Sequence, residues 1–270
     1  MKNTVGSSER TIGKHDLLDK LLKKEVETMS YGNVPFIDPE YTIMDLCAGD
    51  GTPSRESNVS SPELIKKHCG TLLVNRKKVN VILVEKNKNT FSRLSARKYN
   101  ALLLNCDALE IKSIPIEVSK KSACFIHADP NHIEDWPISP ELLENAPHFT
   151  TMLLTLGCNV GGLKRMPLEA RQKWYERMDN ILRWLPKRHD ALLISLRGDM
   201  AQWAYMIIGP KSWHDKKAYS KVAEKAFKTW SKGVDMVRYR TSRDDFFRMR
   251  DSLFLTAKEV ANAEQQGNTQ

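Results

Sequence analysis

Four carboxylates recur at one kind of place along this chain. Asp45, Glu85, Asp107 and Asp129 closely follow the short apolar runs Thr42-Ile43-Met44, Val79-Asn80-Val81-Ile82-Leu83-Val84, Ala101-Leu102-Leu103-Leu104 and Ala123-Cys124-Phe125-Ile126-His127. An ionised carboxylate only accepts hydrogen bonds, so an acid at a strand end suits the hydroxyl and amino groups of a ligand. The first acid opens Asp45-Leu46-Cys47-Ala48-Gly49-Asp50-Gly51. Two glycines around one polar residue let the backbone turn sharply and come close to a ligand, because no side chain intervenes. A tight turn after a buried strand has the same glycines, and a single acid at a strand end serves equally as a cap. Four acids in successive units are hard to explain as four caps.

Other chemistries fit less well. A nicotinamide fingerprint needs Gly-x-Gly-x-x-Gly or Ala, whereas Gly51 is followed by Thr52-Pro53-Ser54. There is no Gly-Lys-Ser/Thr for a phosphate loop and no Gly-x-Ser-x-Gly nucleophile elbow. Cys124-x-x-His127 with His132 suggests a metal, but Cys124 and His127 fall on a buried strand and no second cysteine pair completes the set. No metal is expected. The five cysteines, Cys47, Cys69, Cys106, Cys124 and Cys158, form no Cys-x-x-Cys and read as reduced thiols of a cytoplasmic protein.

The acids must be positioned by the elements around them. Apolar runs separated by amphipathic segments imply strands buried on both faces, hence a doubly wound α/β fold with a mostly parallel sheet. In such sheets ligands sit beyond the carboxyl ends of the strands. An acid after the second strand, here Glu85, is placed to accept both hydroxyls of a ribose. A helix is expected from Thr11, with Leu17, Leu18, Leu21, Leu22, Val26 and Met29 as its apolar stripe. Lys14 and His15 at its start could reach a ligand at the sheet edge, but the expectation for them is a solvated surface. Ser60-Ser61-Pro62-Glu63 reads as a second helix start, with a serine cap and an early proline. Thr151–Leu156 and Ala191–Leu196 read as fifth and sixth strands, with a long helix from Pro167 between them. Residues 215–232 contain another helix, and 234–240 with 252–256 read as a closing antiparallel pair. The expected organisation is an N-terminal helical extension over 1–39, a Rossmann-like domain over 40–257 and a polar tail over 258–270.

The 270 residues carry 41% hydrophobic side chains, enough for one sizeable core, and a net charge of +9, which suits an anionic partner. The N-terminus lacks an apolar signal core. No apolar run approaches the roughly 18 residues of a membrane span, so no membrane partner is expected. Arg238, Arg240, Arg243, Arg248 and Arg250 are interleaved with Tyr239, Phe246 and Phe247. Arginine pairs bidentately with phosphate and aromatics stack on bases, so this segment is the candidate nucleic-acid contact. Read plainly, it is a hairpin with arginines on its solvated face.

The order Asp-x-x-x-Gly-x-Gly, Glu85, Asp107, Asp129-Pro130 resembles the Rossmann-fold methyltransferases that use S-adenosylmethionine, over roughly residues 40–200. More narrowly, Lys14-His15-Asp16-Leu17-Leu18, the Asp45–Gly51 loop, Ser61-Pro62, Val84-Glu85-Lys86 and Ala128-Asp129-Pro130 are similar to the three-Cys-motif partner family of methyltransferase-like proteins. The resemblance implies S-adenosylmethionine as cofactor. It implies cofactor contacts from Asp45, Cys47, Ala48, Gly49, Gly51, Glu85, Lys86, Asp107, Ala108 and Asp129. Glu85 would hold the ribose, Asp107 would face the adenine amine, and Asp129 would lie near the sulfonium and the acceptor, with Asn131 and His132 beside it. Nucleic-acid amino-methyltransferases carry Pro-aromatic where this chain has Asn131-His132, a departure that removes the expected stacking ring. No Pro-Cys pair supports cytosine-5 chemistry. The resemblance and the basic segment together imply a methyltransferase acting on DNA or RNA. The alternatives are a catalytically silent S-adenosylmethionine-binding module working with a protein partner, and a methyltransferase of a small molecule or protein.

Overall fold

The computed structural model describes residues 9–31, 40–53, 58–75, 78–130, 138–156, 176, 183–196, 204–215, 218–227 and 234–239. Helix α1 (Glu9–Tyr31) leads into strand β1 (Glu40–Asp45), and α2 (Ser61–Asn75), β2 (Lys78–Val84), α3 (Lys88–Ala96) and β3 (Leu102–Leu104) follow. After a 3-10 turn at Ala108–Glu110 come β4 (Ala123–Ala128), α4 (Pro140–Asn145), β5 (Phe149–Leu156) and β6 (His189–Leu196). The described chain closes with β7 (Ala204–Pro210), α5 (Lys211–Asp215), α6 (Ala218–Phe227) and β8 (Val234–Tyr239). None of the described helices is long and apolar enough to cross a membrane.

The strands form one eight-stranded sheet in the order β3-β2-β1-β4-β5-β7-β6-β8. The pairings β2–β3, β1–β2, β1–β4 and β4–β5 are parallel. β7 lies antiparallel between β5 and β6, and β8 pairs antiparallel with the other edge of β6. The fold is therefore doubly wound and mostly parallel, with antiparallel closing strands. Residues 234–239 pair with β6; the expected partner 252–256 and the expected helix from Pro167 lie outside the described residues. β7 is not among the expected elements. It is a short apolar run, Ala-Tyr-Met-Ile-Ile-Gly-Pro, and periodicity does not tell a buried strand from a buried helix at that length.

The chain order reverses between β1 and β4, which makes their carboxyl ends the switch point of the sheet. Strand alternation sorts the core into two layers. Tyr41, Ile43, Phe125, Leu153 and Ile207 face a layer holding α1, α2 and α6, while Met44, Ile126, Met152, Leu154 and Met206 face the opposite layer with α4. Leu17, Leu18, Leu21 and Leu22 of α1 are all buried in the first layer. Helix α1 runs against the strand direction: Lys14 reaches Asp129 beyond the end of β4, and Glu25 meets Tyr41 near the start of β1.

Candidate functional site

The loop after β1 starts from a fixed point. The Leu46 N–H donates to the His127 carbonyl at 2.8 Å and the Ala48 N–H to the Val84 carbonyl at 2.9 Å, so sheet pairing continues past the strand end. Gly49 and Gly51 then take φ values of +63° and +69°, a region open to glycine at little cost. The two glycines serve different ends. A Cβ on Gly49 would meet nothing within 4 Å, whereas one on Gly51 would come within 2.7 Å of the Tyr99 hydroxyl and 2.9 Å of Arg97 Cδ. Gly51 is required by packing; Gly49 leaves open space above the backbone.

Asp45 sits under this loop, fully buried. The β1–β4 register places it opposite His127, and alternation puts both side chains on the α1 face. Asp45 Oδ1 lies 3.0 Å from His127 Nδ1 and accepts the Cys47 N–H at 3.2 Å. Its Oδ2 is buried with no hydrogen-bond partner among the described residues. Burial disfavours a charged His127 ring, but Asp45 and Asp129 together outweigh it and raise the imidazole pKa.

Asp129 follows β4 on the same face. Lys14 Nζ donates to its two oxygens at 2.8 and 3.1 Å, with side-chain exposures of 18% for Lys14 and 25% for Asp129. Thr155 of β5 contributes to holding the Asp129 pKa down. Burial would push the Asp129 carboxyl up, but Lys14 and His127 hold it below the usual carboxylate range. His15, next on the helix and half-buried, is lowered to about 4 by burial and by the positive charge of His127 and Lys14, so it is neutral at pH 7. The expectation of a solvated surface for Lys14 and His15 is not met. Lys14 lies three or four residues before Leu17, Leu18 and the rest of the stripe, so it shares the buried face. That phase was the signal for it. Nothing in the spacing marked His127 as the partner of Asp45.

A second group lies at the ends of β2 and β3. Glu85, half-buried, accepts the Asn87 N–H on Oε1 at 2.7 Å, and its other oxygen makes no hydrogen bond among the described residues. Asp107 caps the 3-10 turn, accepting the Leu109 N–H on Oδ1 at 3.0 Å, and its Oδ2 lies 2.6 Å from Lys86 Nζ. Both its oxygens are engaged, and the bond from Lys86 lowers its pKa. A ligand amine at Asp107 would share it with Lys86. Ala48 and Ala108 are buried; Cys47 is half-buried, its thiol pushed well up by burial and by Asp45. Thus Asp45, Cys47, Ala48, Gly49, Asp129, His127, Lys14 and His15 gather at the switch point, with Glu85 and Lys86 one strand further out, after β2, and Asp107 and Ala108 two strands out, after β3. Asn131, His132, Arg240, Arg243, Arg248 and Arg250 lie outside the described residues. Arg238 stands on β8 opposite Leu192.

No family model matches the chain, and no curated protein matches it in sequence. Solved structures do resemble it. Protein LPL1258 from Legionella pneumophila is 12% identical, covering 89% of this chain and 99% of its own, with a TM-score of 0.54. The plantazolicin methyltransferase BpumL, in complex with a triazolic desmethylPZN analog and SAH, is 12% identical over 75% of this chain and 91% of its own, with a TM-score of 0.39. The precorrin-6y C5,15-methyltransferase from Geobacter metallireducens is 11% identical over 69% of this chain and 86% of its own, with a TM-score of 0.34. Of these three, the first overlap identifies a shared fold, and at 12% identity it identifies the fold alone. Strand order and that overlap together make this chain a Rossmann-like doubly wound protein.

Proposed function

We propose that this protein is an S-adenosylmethionine-dependent methyltransferase whose acceptor is a nucleic acid. The observation that carries the reading is the glycine loop at the switch point of the sheet: Gly49, at φ +63°, leaves open space above the backbone, and Asp45 lies buried at the strand end before it with Oδ2 lacking a hydrogen-bond partner among the described residues. An orphaned acceptor of this kind is costly unless a donor completes it. Gly49 leaves room for a ligand over the loop, and the carboxylate of buried Asp45 beneath it supplies negative charge that suits the amino group of S-adenosylmethionine. Glu85 has an oxygen to offer a ribose hydroxyl, so the residues present fit the cofactor.

When bound, S-adenosylmethionine supplies an electrophilic methyl group on a sulfonium. The chain's own task is then alignment and proton management. Asp129, at the meeting of β4 and α1, accepts a hydrogen bond from the acceptor's N–H or O–H and orients its lone pair. His15, neutral and near Asp129, adds no charge to the mouth. The net charge of +9 and the Arg238–Arg250 segment favour a polyanionic acceptor. One observation favours the catalytically silent alternative: Lys14 lies within 3.1 Å of both Asp129 oxygens, competing with any acceptor.

Incubation with methyl-labelled cofactor and pooled RNA, DNA and protein, followed by fractionation, separates these readings. Label is expected in nucleic acid. Label confined to protein or small molecules overturns the acceptor assignment, and tight cofactor binding with no transfer supports the silent module. In calorimetry, Glu85→Ala is expected to weaken cofactor binding by about 2 kcal/mol through the loss of a charged hydrogen-bond acceptor. Unchanged affinity would remove the ribose role.

A further inference from the structure

The Gly49–Thr52 loop is held from outside by the end of helix α3. Arg97 Nε donates to the Asp50 carbonyl at 2.7 Å, and its Nη2 donates to Thr52 Oγ1 at 2.8 Å. Arg93 Nε donates to Asp50 Oδ2 at 2.9 Å, while Asp50 Oδ1 accepts the Thr52 N–H at 2.8 Å. The side of the loop toward α2 is fixed too: the Ser60 hydroxyl donates to the Gly51 carbonyl at 3.0 Å. Tyr99, whose hydroxyl would lie 2.7 Å from a Gly51 Cβ, donates that hydroxyl to Glu63 of α2 at 2.8 Å. Arg97 is thus the one described side chain that bonds the loop on both sides of Gly51, and its stem packs on Gly51 itself.

We infer that Arg97 is a positioning residue for ligand binding: its two bonds, with the Arg93–Asp50 pair, hold the loop in the left-handed course that opens the space above Gly49. The inference rests on the cofactor reading above. A solvent-facing arginine on a helix is usually surface charge, and an exposed ion pair contributes little. Arg97 differs because its partners are a main-chain carbonyl and a hydroxyl of one loop, and the guanidinium fork bonds both at once. A loop with two residues at positive φ has many conformations to lose on ligand binding, and fixing it beforehand lowers that cost. Arg97 touches no ligand in this scheme; it acts through Asp50 and Thr52.

The test compares wild type with Arg97→Ala, Arg97→Lys and Thr52→Ala, using calorimetric binding of S-adenosylhomocysteine and amide hydrogen exchange of the ligand-free proteins. Arg97→Ala is expected to bind roughly 10-fold more weakly and to exchange faster across residues 47–52, with exchange in β1 and β4 unchanged. Arg97→Lys, which keeps the charge but not the fork, should recover part of the affinity. Thr52→Ala removes one bond at an exposed site that cannot endanger folding, and should weaken binding by about 2-fold. Wild-type affinity and loop exchange in both Arg97→Ala and Thr52→Ala would overturn the inference. If wild type binds no S-adenosylhomocysteine, the cofactor reading fails, and loop exchange alone judges the clamp: faster exchange in Arg97→Ala supports it and unchanged exchange overturns it.

Discussion

At its N-terminal end helix α1 lays the Lys14 ammonium against both oxygens of Asp129; about three turns later it inserts Glu25 among three hydroxyls. Glu25 accepts hydrogen bonds from Thr151 at 3.0 Å, Tyr41 at 3.1 Å and Tyr219 at 3.2 Å, and it is fully buried. The two acids are compensated differently and titrate in opposite directions. Burial raises Glu25 to about 7, because three neutral donors lower it less than desolvation lifts it. Burial also works against Asp129, but a cation 2.8 Å away and the nearby His127 bring it below its ordinary value. The closed end of the sheet therefore holds an acid that leans toward its neutral form, and the open end holds one kept ionised. Only the second suits a group that must orient a polar acceptor at neutral pH.

The largest expected effect comes from abolishing the titration at the closed end. A folded pKa near 7 against 4.5 unfolded means that the native state keeps the Glu25 proton as pH rises while the unfolded chain releases it. Stability from this group is full below about pH 4.5, falls between about 4.5 and 7, and is gone above, a span on the order of 3 kcal/mol. Glu25→Gln keeps the shape and cannot ionise. Urea unfolding of the two proteins should give curves that diverge across that window, with the variant gaining on wild type as pH rises. Parallel curves would show that Glu25 is not held near neutrality.

Next in size is the open end. Asp129→Asn retains the side-chain shape and removes the charge, and is expected to lower turnover about 100-fold while leaving cofactor affinity within about 2-fold. Turnover near wild type would make Asp129 a structural partner of Lys14 and no more.

Much of this contrast was invisible in the sequence, for a definite reason. The strands carrying Asp45, Glu85, Asp107 and Asp129 were legible because each is a local apolar run with an acid at its end. The loop was legible because glycine at positive φ leaves a mark in the chain. The contacts that set the charge state are not local: Lys14 and Asp129 are 115 positions apart, and Glu25 and Thr151 are 126 apart. Both α1 residues were nonetheless in phase with the Leu17–Leu22 stripe. A charged residue in phase with an apolar stripe is a candidate for a buried partner, and reading the stripe by its leucines alone passes over it. The apolar run around His127 marks it as a buried strand residue, which it is; its pairing with Asp45 follows from the β1–β4 register, and register between distant strands is written in no single segment.

The smallest of these effects is the most discriminating, because it changes the compensation at Asp129 without touching Asp129. Lys14→Ala removes the cation that opposes burial there, so the Asp129 pKa should rise. The His15 pKa should rise with it, since Lys14 is among the charges that lower it. If Asp129 works as an ionised acceptor, the acid limb of the pH–rate profile should move to higher pH, with the rate loss confined to that limb and little change at neutral pH. Lys14→Arg restores the charge with a bulkier head, and should return the acid limb most of the way. A merely structural Lys14 predicts otherwise: Lys14→Ala would lose melting temperature and leave the acid limb where it was. A third outcome inverts the reading. If Lys14→Ala transfers methyl groups faster than wild type, the ammonium is a competitor for Asp129, and the pair is a lock that an acceptor must displace.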